Sequence, residues 1–498
     1  SADQAPINDT IKTSTYGCDS LMIGTYTVGT GGHFATIEDA LIRLKYCGIS
    51  GPVTLAMFPG LYVENIVFED TIRGSDSLNT VTFTSTTGIR TDVIIYTARD
   101  SAQDVGTIDL KNVKHLVFKN ISVYGQHRSP MYYSKAVMLR NNVSNIEFDN
   151  CILLIPTFVS ATNIPGQLSV VYNPSANQIN NIRILNCYIH GGSAGIYLMG
   201  SGDRINIKNN NIENVDNYGI YMYYTNYNDI SDNYIEQRYS ANLTLIDFYG
   251  MYFYQSNGNF IRNNRIRLHQ TIYGMYLYYS TKLDYSHLLI YNNEIIAPVT
   301  GNNYGFYMSS GCNDIKILHN SILMNGNGEG KCFYVGGTLT NNILKNNNFI
   351  NLSSDASSTN NHVVYFPSTN AAAGFTMDYN NYYTIGSYLG YAGNNITNLT
   401  LWKTALGKDG NSMSINPTFF NAQTLDIVDY TGLNCPRISD VLVDIDSTTR
   451  TSNTTVGAYH GDPYALDVMP RTITSPGKVS SIGALTPVTV TVLNVGSD

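Results

Sequence analysis

Residues 218–226 read YGIYMYYTN, and near-copies of the phrase recur as YGMYFYQSN at 249–257 and YGMYLYYST at 273–281. Their common core is Gly, an apolar residue, Tyr and another apolar residue, which also occurs at Gly195 (GIYL) and Gly305 (GFYM). From Gly195 through Gly219, Gly250, Gly274 and Gly305 the steps are 24, 31, 24 and 31 residues. Self-similarity at such a period marks a solenoid, in which each repeat buries its apolar face only against its neighbours.

A second marker interleaves with the first. An Asn precedes an apolar strand at Asn150, Asn186, Asn210, Asn233, Asn264, Asn293, Asn320 and Asn347. Two strand types therefore alternate within a repeat of roughly 25–30 residues, which predicts an all-β fold, a single-stranded parallel β-helix with one coil per repeat. An asparagine suits a fixed corner because it tolerates left-handed backbone and can stack as an amide ladder along the axis. The NG and DG hairpin turns that a β-sandwich requires at regular spacing are scarce.

Alternation along a strand sends Ile220 and Met222 to one face and Tyr221 and Tyr223 to the other. Ile196/Leu198, Met251/Phe253, Met275/Leu277 and Phe306/Met308 share the phase of Ile220/Met222 and are the candidate core. The outward set is then Tyr197, Tyr221, Tyr252, Tyr276, Tyr307, Tyr334 and Tyr365, with a second column of Tyr223, Tyr254 and Tyr278. Such a strip reads in two ways. Sugars could pack on the aromatic faces, with phenols and asparagines supplying directional hydrogen bonds; or like residues stack simply because stacking holds adjacent coils together.

Of 498 residues, 43% are hydrophobic and 13% charged, with a formal net charge of -8 and no basic run, which argues against a nucleic-acid partner. No apolar stretch is long enough to span a membrane, so no membrane insertion is expected. The polar start SADQAPINDT reads as a mature chain after signal-peptide removal, hence secreted or at the cell surface. Seven cysteines lack CxxC spacing, which implies no zinc site, and Cys18 with Cys47 could pair in an oxidising compartment. No metal or cofactor is implied.

The ends differ from the middle. TIEDALIRLK (36–45) places Ile37, Ala40, Leu41 and Leu44 at helical spacing behind a Thr36/Asp39 capping box, a helix fit to cover the first coil. LWKTAL (401–406) reads as a second short helix. The expected organisation is an N-terminal cap with first strands over 1–60, the β-helix over 61–465 with an irregular C-terminal cap from about 385, and over 466–498 a linker with the first strand of a truncated β-sandwich module. That strand, PVTVTVLN, implies further domains beyond residue 498.

The segment 27–68 resembles the opening of the pectin-lyase-like superfamily of right-handed β-helices. Gly32, Phe34, Thr36, Ile37, Ala40 and Leu41, then Gly60, Tyr62 and Glu64, stand where pectin methylesterases carry G-x-F-x-T-I-x-x-A-L and G-x-Y-x-E. NPTFFNAQTLDI (416–427) and TVGAYHGDP (455–463) resemble closing segments of secreted bacterial β-helix proteins, and PVTVTVLNVG resembles the first strand of immunoglobulin-like CARDB adhesion modules. The resemblance implies a right-handed β-helix. It does not extend to the esterase chemistry: KAVMLR (135–140) has Lys135 where the family has Gln, and the segments carrying that family's two catalytic aspartates are missing. The catalytic segments of pectate lyases and polygalacturonases are missing too.

One charged cluster is the candidate for catalysis. Aligning NIENV, YIEQR and RIRLH puts Glu213, Glu236 and Arg267 in one column and Arg238 with His269 in another. His269 could accept a proton while the arginines neutralise an acidic sugar; the alternative is a surface ion-pair ladder. The remaining acids Asp203, Asp216, Asp229 and Asp232 are too sparse for Ca²⁺, and His33, His190 and His319 read as hydrogen-bonded structural residues. The leading functional expectation is a carbohydrate-binding or adhesive module acting on a polysaccharide or glycan surface through Tyr197, Tyr221, Tyr223, Tyr252, Tyr254, Tyr276, Tyr278, Tyr307 and Tyr334. Behind it stand a polysaccharide lyase or glycoside hydrolase working at Glu236, Arg238, Arg267 and His269, and a purely structural stalk.

Overall fold

Strands visit three faces in turn, and each pairs in parallel with the strand one coil earlier, which builds a right-handed parallel β-helix from the sequence repeat. The computed structural model describes residues 17–99, 105–127, 134–157, 166–174, 177–239, 247–269, 272–284, 288–299, 301–354, 359–419, 424–461, 468–475 and 489–494. In the order a coil meets them, the sheets have 15, 12 and 13 described strands. We call these the first, second and third sheets. In one coil they are represented by Asn206–Lys208, Asn211–Val215 and Tyr218–Tyr223. Ile220, Met222, Met251, Phe253, Met275 and Leu277 all point inward and are fully buried, as the alternation predicts.

The corner from the first to the second sheet is made by two adjacent residues with separate duties. Asn209, Asp232, Asn263, Asn292, His319, Asn346 and Tyr379 take the left-handed conformation. The following residue, Asn210, Asn233, Asn264, Asn293, Asn320, Asn347 or Asn380, turns inward and is buried. From Asn210 to Asn347, each Nδ2 donates to Oδ1 of the next asparagine at 2.9–3.0 Å. That same Oδ1 also accepts the backbone N–H of the preceding asparagine at 2.9–3.1 Å. An interior polar residue is tolerated here because every group on it is satisfied.

The sequence marker merged these duties. Asn150 and Asn186 are themselves left-handed and lie outside the inward ladder, whose place at those coils is taken by Cys151 and Cys187. Cys187 joins the ladder only through its backbone N–H, which donates to Asn210 Oδ1 at 2.9 Å.

Both ends are closed. Helix α1 (Ile37–Cys47) starts at a capping box of Thr36 and Asp39, and the Glu64 carboxylate accepts N–H bonds from Ile37 and Glu38 at 3.2 and 2.9 Å. A carboxylate at a helix N-terminus is favoured by the helix dipole, which gives the Gly60, Tyr62, Glu64 segment a structural purpose. Cys18 and Cys47 form a disulfide, and the other five cysteines are buried and free. After the short helix α2 (Thr369–Ala373), helix α3 (Leu399–Leu406) inserts Trp402 into the end of the core, where its indole N–H donates to Asp409 at 2.9 Å.

Beyond α3 the chain folds back along the second sheet. Leu425, Ile445, Ala458 and Tyr459 pack on Ile296, Leu323 and Ile350. Arg450, entirely buried, donates to Asn292 Oδ1 and to the carbonyls of Thr455, Gly457 and Ala458 at 2.8–3.2 Å. The strand Thr489–Asn494, expected to stand first in a new module, pairs antiparallel with an upstream strand, Val468–Ser475.

Candidate functional site

The aromatic phrase lies at the corner from the second to the third sheet, and its glycine explains it. A Cβ on Gly250 would sit 2.5 Å from the carbonyl oxygen of Gly274 and 2.6 Å from Ile266 Cγ2. Gly219 and Gly274 are as tightly enclosed. The missing side chain lets the strand bend inward at this residue, so that both the Tyr before it and the Tyr two places after it reach the outer face. Simple alternation hides this, and sequence reading therefore missed the column Tyr218, Tyr249, Tyr273 and Tyr304, which pair rung to rung. The YG dipeptide was the available signal.

The main column runs Tyr172, Tyr197, Tyr221, Tyr252, Tyr276, Tyr307, Tyr334, Tyr365 and Tyr391 in unbroken register. It is longer by Tyr172 and Tyr391 than the sequence suggested. From Tyr197 to Tyr391 consecutive rings stack nearly parallel with centroids 4.3–4.9 Å apart. Tyr218, Tyr249 and Tyr273 stack on one another at 4.7–5.1 Å and meet the main column edge-on. Tyr223, Tyr254 and Tyr278 form the outer column.

This packing changes what the strip can offer. The ring faces of Tyr221, Tyr252, Tyr276, Tyr307 and Tyr334 are taken by neighbouring rings, which leaves only edges and hydroxyls to offer a ligand. Tyr197, expected at the surface, is only 8% exposed. Open aromatic area lies instead at Tyr224 and Tyr279, each 43% exposed, which adjoin the outer column and were not singled out from the sequence. The hydroxyls stay protonated. Burial, with a further push from the Asp247 carboxylate, raises Tyr218 to about 12, and burial followed by neighbouring phenols raises Tyr197, Tyr221, Tyr252 and Tyr307 above the ordinary 10.0.

The charged candidates lie across the same corner, on the second sheet. Glu213, Glu236 and Arg267 share a column as aligned. His269 Nε2 is 2.7 Å from Glu236 Oε1, and Tyr234 donates to the other carboxylate oxygen at 3.0 Å. Both side chains of that pair are about one third exposed. The arginines do not join them. Arg238 pairs with the buried Asp216 at 2.5 Å, and Arg267 pairs with Glu294, a fully buried carboxylate that also accepts from Tyr459 and from Leu425 N–H. Glu294 thus pins the returning C-terminal segment, and the arginines expected to neutralise substrate are engaged by protein carboxylates.

The three histidines set aside as structural are hydrogen-bonded: His33 to Thr27, His190 to Asn214 and His319 to Asn346. A separate cavity of about 700 Å³ at the N-terminal cap is lined by Glu38, Leu41, Lys45, Glu64, Glu69 and Asp70 among others and shares no residue with either candidate surface.

The fold defined by these coils is that of right-handed parallel β-helices, and the family described as "Right handed beta helix region" matches residues 106–295 and 169–349. No curated protein sequence matches the chain. Among solved structures, XylC in complex with xylose is similar at 11% identity over 88% of this chain and 98% of that one, with a TM-score of 0.44. The pectin methylesterase from Aspergillus niger is similar at 15% identity over 60% and 89%, TM-score 0.25, and the Dettilon tailspike protein at 12% over 68% and 62%, TM-score 0.35.

Proposed function

We propose that the third sheet of this β-helix is a carbohydrate-binding surface, carried by a secreted or cell-surface module that attaches to a glycan-rich partner. The observation that supports it is the continuous tyrosine face, whose uncharged hydroxyls repeat at the coil spacing of about 4.8 Å and are flanked by the half-exposed rings of Tyr224 and Tyr279. A regular row of donors and acceptors beside open aromatic area suits a repeating polyol chain better than a compact metabolite. The Cys18–Cys47 disulfide supports an oxidising compartment. Retention on a panel of immobilised polysaccharides tests the reading: the wild type is retained by at least one, and replacing Tyr221, Tyr224, Tyr252 and Tyr279 with Ala removes that retention. A folded wild type that binds no glycan defeats the proposal and leaves the stalk.

A second reading, glycoside hydrolase or polysaccharide lyase, is favoured by the Glu236–His269 contact. A carboxylate held by a phenol and an imidazole can exchange a proton with a substrate oxygen. With Arg238 and Arg267 engaged elsewhere, acid–base hydrolysis fits the cluster better than elimination from an acidic sugar. Release of reducing ends that survives Glu236→Gln and His269→Ala unchanged would rule the pair out.

A further inference from the structure

The column Tyr218, Tyr249, Tyr273, Tyr304 changes character at its C-terminal end, where the next rungs in register are Lys331 and then His362. Lys331 is only 6% exposed, and its ammonium lies 5.3 Å from the centroid of the Tyr304 ring. Among the described residues it makes no hydrogen bond and no ion pair. The nearby Glu329 carboxylate is instead engaged by Asn360 Nδ2 at 3.2 Å.

The opposite end of the aromatic face supplies a control. There Lys135, 1% exposed, lies 4.7 Å from the Tyr172 ring and also donates to the Gln167 carbonyl at 3.4 Å. The two lysines close the same kind of stack, yet only Lys135 is hydrogen-bonded. A second observation falls beside Lys331. Asn303, paired with Gly330 and entirely buried, has neither its amide oxygen nor its amide nitrogen satisfied among the described residues.

An ammonium withdrawn from water without a hydrogen-bond acceptor is unfavourable, and burial pulls the Lys331 pKa down from 10.5 even though the Glu329 carboxylate pulls the other way. We propose that Lys331 is an anion subsite at the C-terminal end of the tyrosine face, taking a carboxylate or sulfate ester carried by a bound glycan. The inference rests on the face being carbohydrate-binding and gives it a direction: neutral sugar units lie along Tyr221 to Tyr307, and an acidic unit lies at Lys331.

Calorimetric titration of the whole chain with a neutral cello-oligosaccharide, its uronate-bearing form and its sulfated form tests this. Wild type is expected to prefer one acidic form by about tenfold at low salt, the scale of one charge-assisted hydrogen bond, and the two arms tell carboxylate from sulfate. Lys331→Met keeps the stem over Tyr304, and it should abolish the preference while leaving neutral binding within about twofold. Equal affinities in wild type, or a preference that survives in Lys331→Met, overturns the subsite and leaves the carbohydrate surface standing. Inorganic sulfate probes the subsite without any sugar. It should slow acetylation of Lys331, read by peptide mass spectrometry, relative to chloride at equal ionic strength; no such protection overturns the subsite whatever the glycans do.

Discussion

The asparagine corner and the tyrosine corner each repeat one residue type up the same solenoid, but for different reasons. Asn210 through Asn380 lie inside, where each amide replaces water for its neighbour and for a strand carbonyl. The tyrosines lie outside, where stacking alone requires a ring and nothing in the stack requires a hydroxyl. A buried column is specified by hydrogen-bond completeness. A surface column of phenols, where phenylalanine would stack as well, carries a chemical feature that the stacking does not use. This difference makes the hydroxyls the part of the tyrosine face on which the proposed glycan binding turns.

The largest expected effect comes from the residue that permits the outer column. Gly250→Val would drive a side chain into Gly274 O and Ile266, and should lower stability by about 4 kcal/mol. The denaturant midpoint measures this, and an unchanged midpoint would mean that the corner can open without loss. Next is the inner column. Asn293→Ala strips the acceptor from both the backbone N–H and the Nδ2 of Asn264, with an expected loss of about 3 kcal/mol. If Tyr252→Ala proves as damaging as Asn293→Ala, the contrast between the corners fails.

The fold was legible because its periodicity is written in residue types that physics restricts to one environment: inward Ile, Met and Phe, corner Gly and inward Asn. The site was less legible. Tyr218, Tyr249, Tyr273 and Tyr304 were missed because the bend at Gly breaks alternation, and the recurrent YG dipeptide, its one local mark, acquires that meaning only from the close approach of the next coil. The engagement of Arg267 was invisible for a related reason. Its partner Glu294 lies one coil on, and the contacts that bury this carboxylate come from Leu425 and from Tyr459, 165 residues along the chain, so its environment could not be read locally.

Alkaline pH should act on the outer corner and spare the inner one, because amides do not titrate. The folded-state values of Tyr218, Tyr221, Tyr249 and Tyr252 are raised above 10.0, chiefly by burial. Above the unfolded value the unfolded chain therefore binds fewer protons than the native chain. Stability contributed by these groups is fully present below about pH 10 and declines as pH rises toward their folded values. Denaturant midpoints across that range, read beside the phenolate absorbance of the folded protein, check the sign. A folded protein whose tyrosines all ionise near 10 would contradict it.

The smallest expected change in stability is the most informative about function. Replacing Tyr221, Tyr252 and Tyr276 with Phe keeps the rings that stack at 4.9 Å between neighbours and removes only the hydroxyls, so the midpoint should move by under about 0.5 kcal/mol per site. Phenylalanine preserves the apolar area and the ring contacts. If the face binds glycans through hydroxyl edges, retention on the polysaccharide that holds the wild type should fall several-fold or more in this variant. Tyr224→Phe and Tyr279→Phe, where rings rather than hydroxyls are open, should cost less retention than Tyr224→Ala and Tyr279→Ala. A triple variant that binds as well as wild type would show that the hydroxyls serve neither the stack nor a ligand, and would turn the outer column into a purely mechanical counterpart of the inner one.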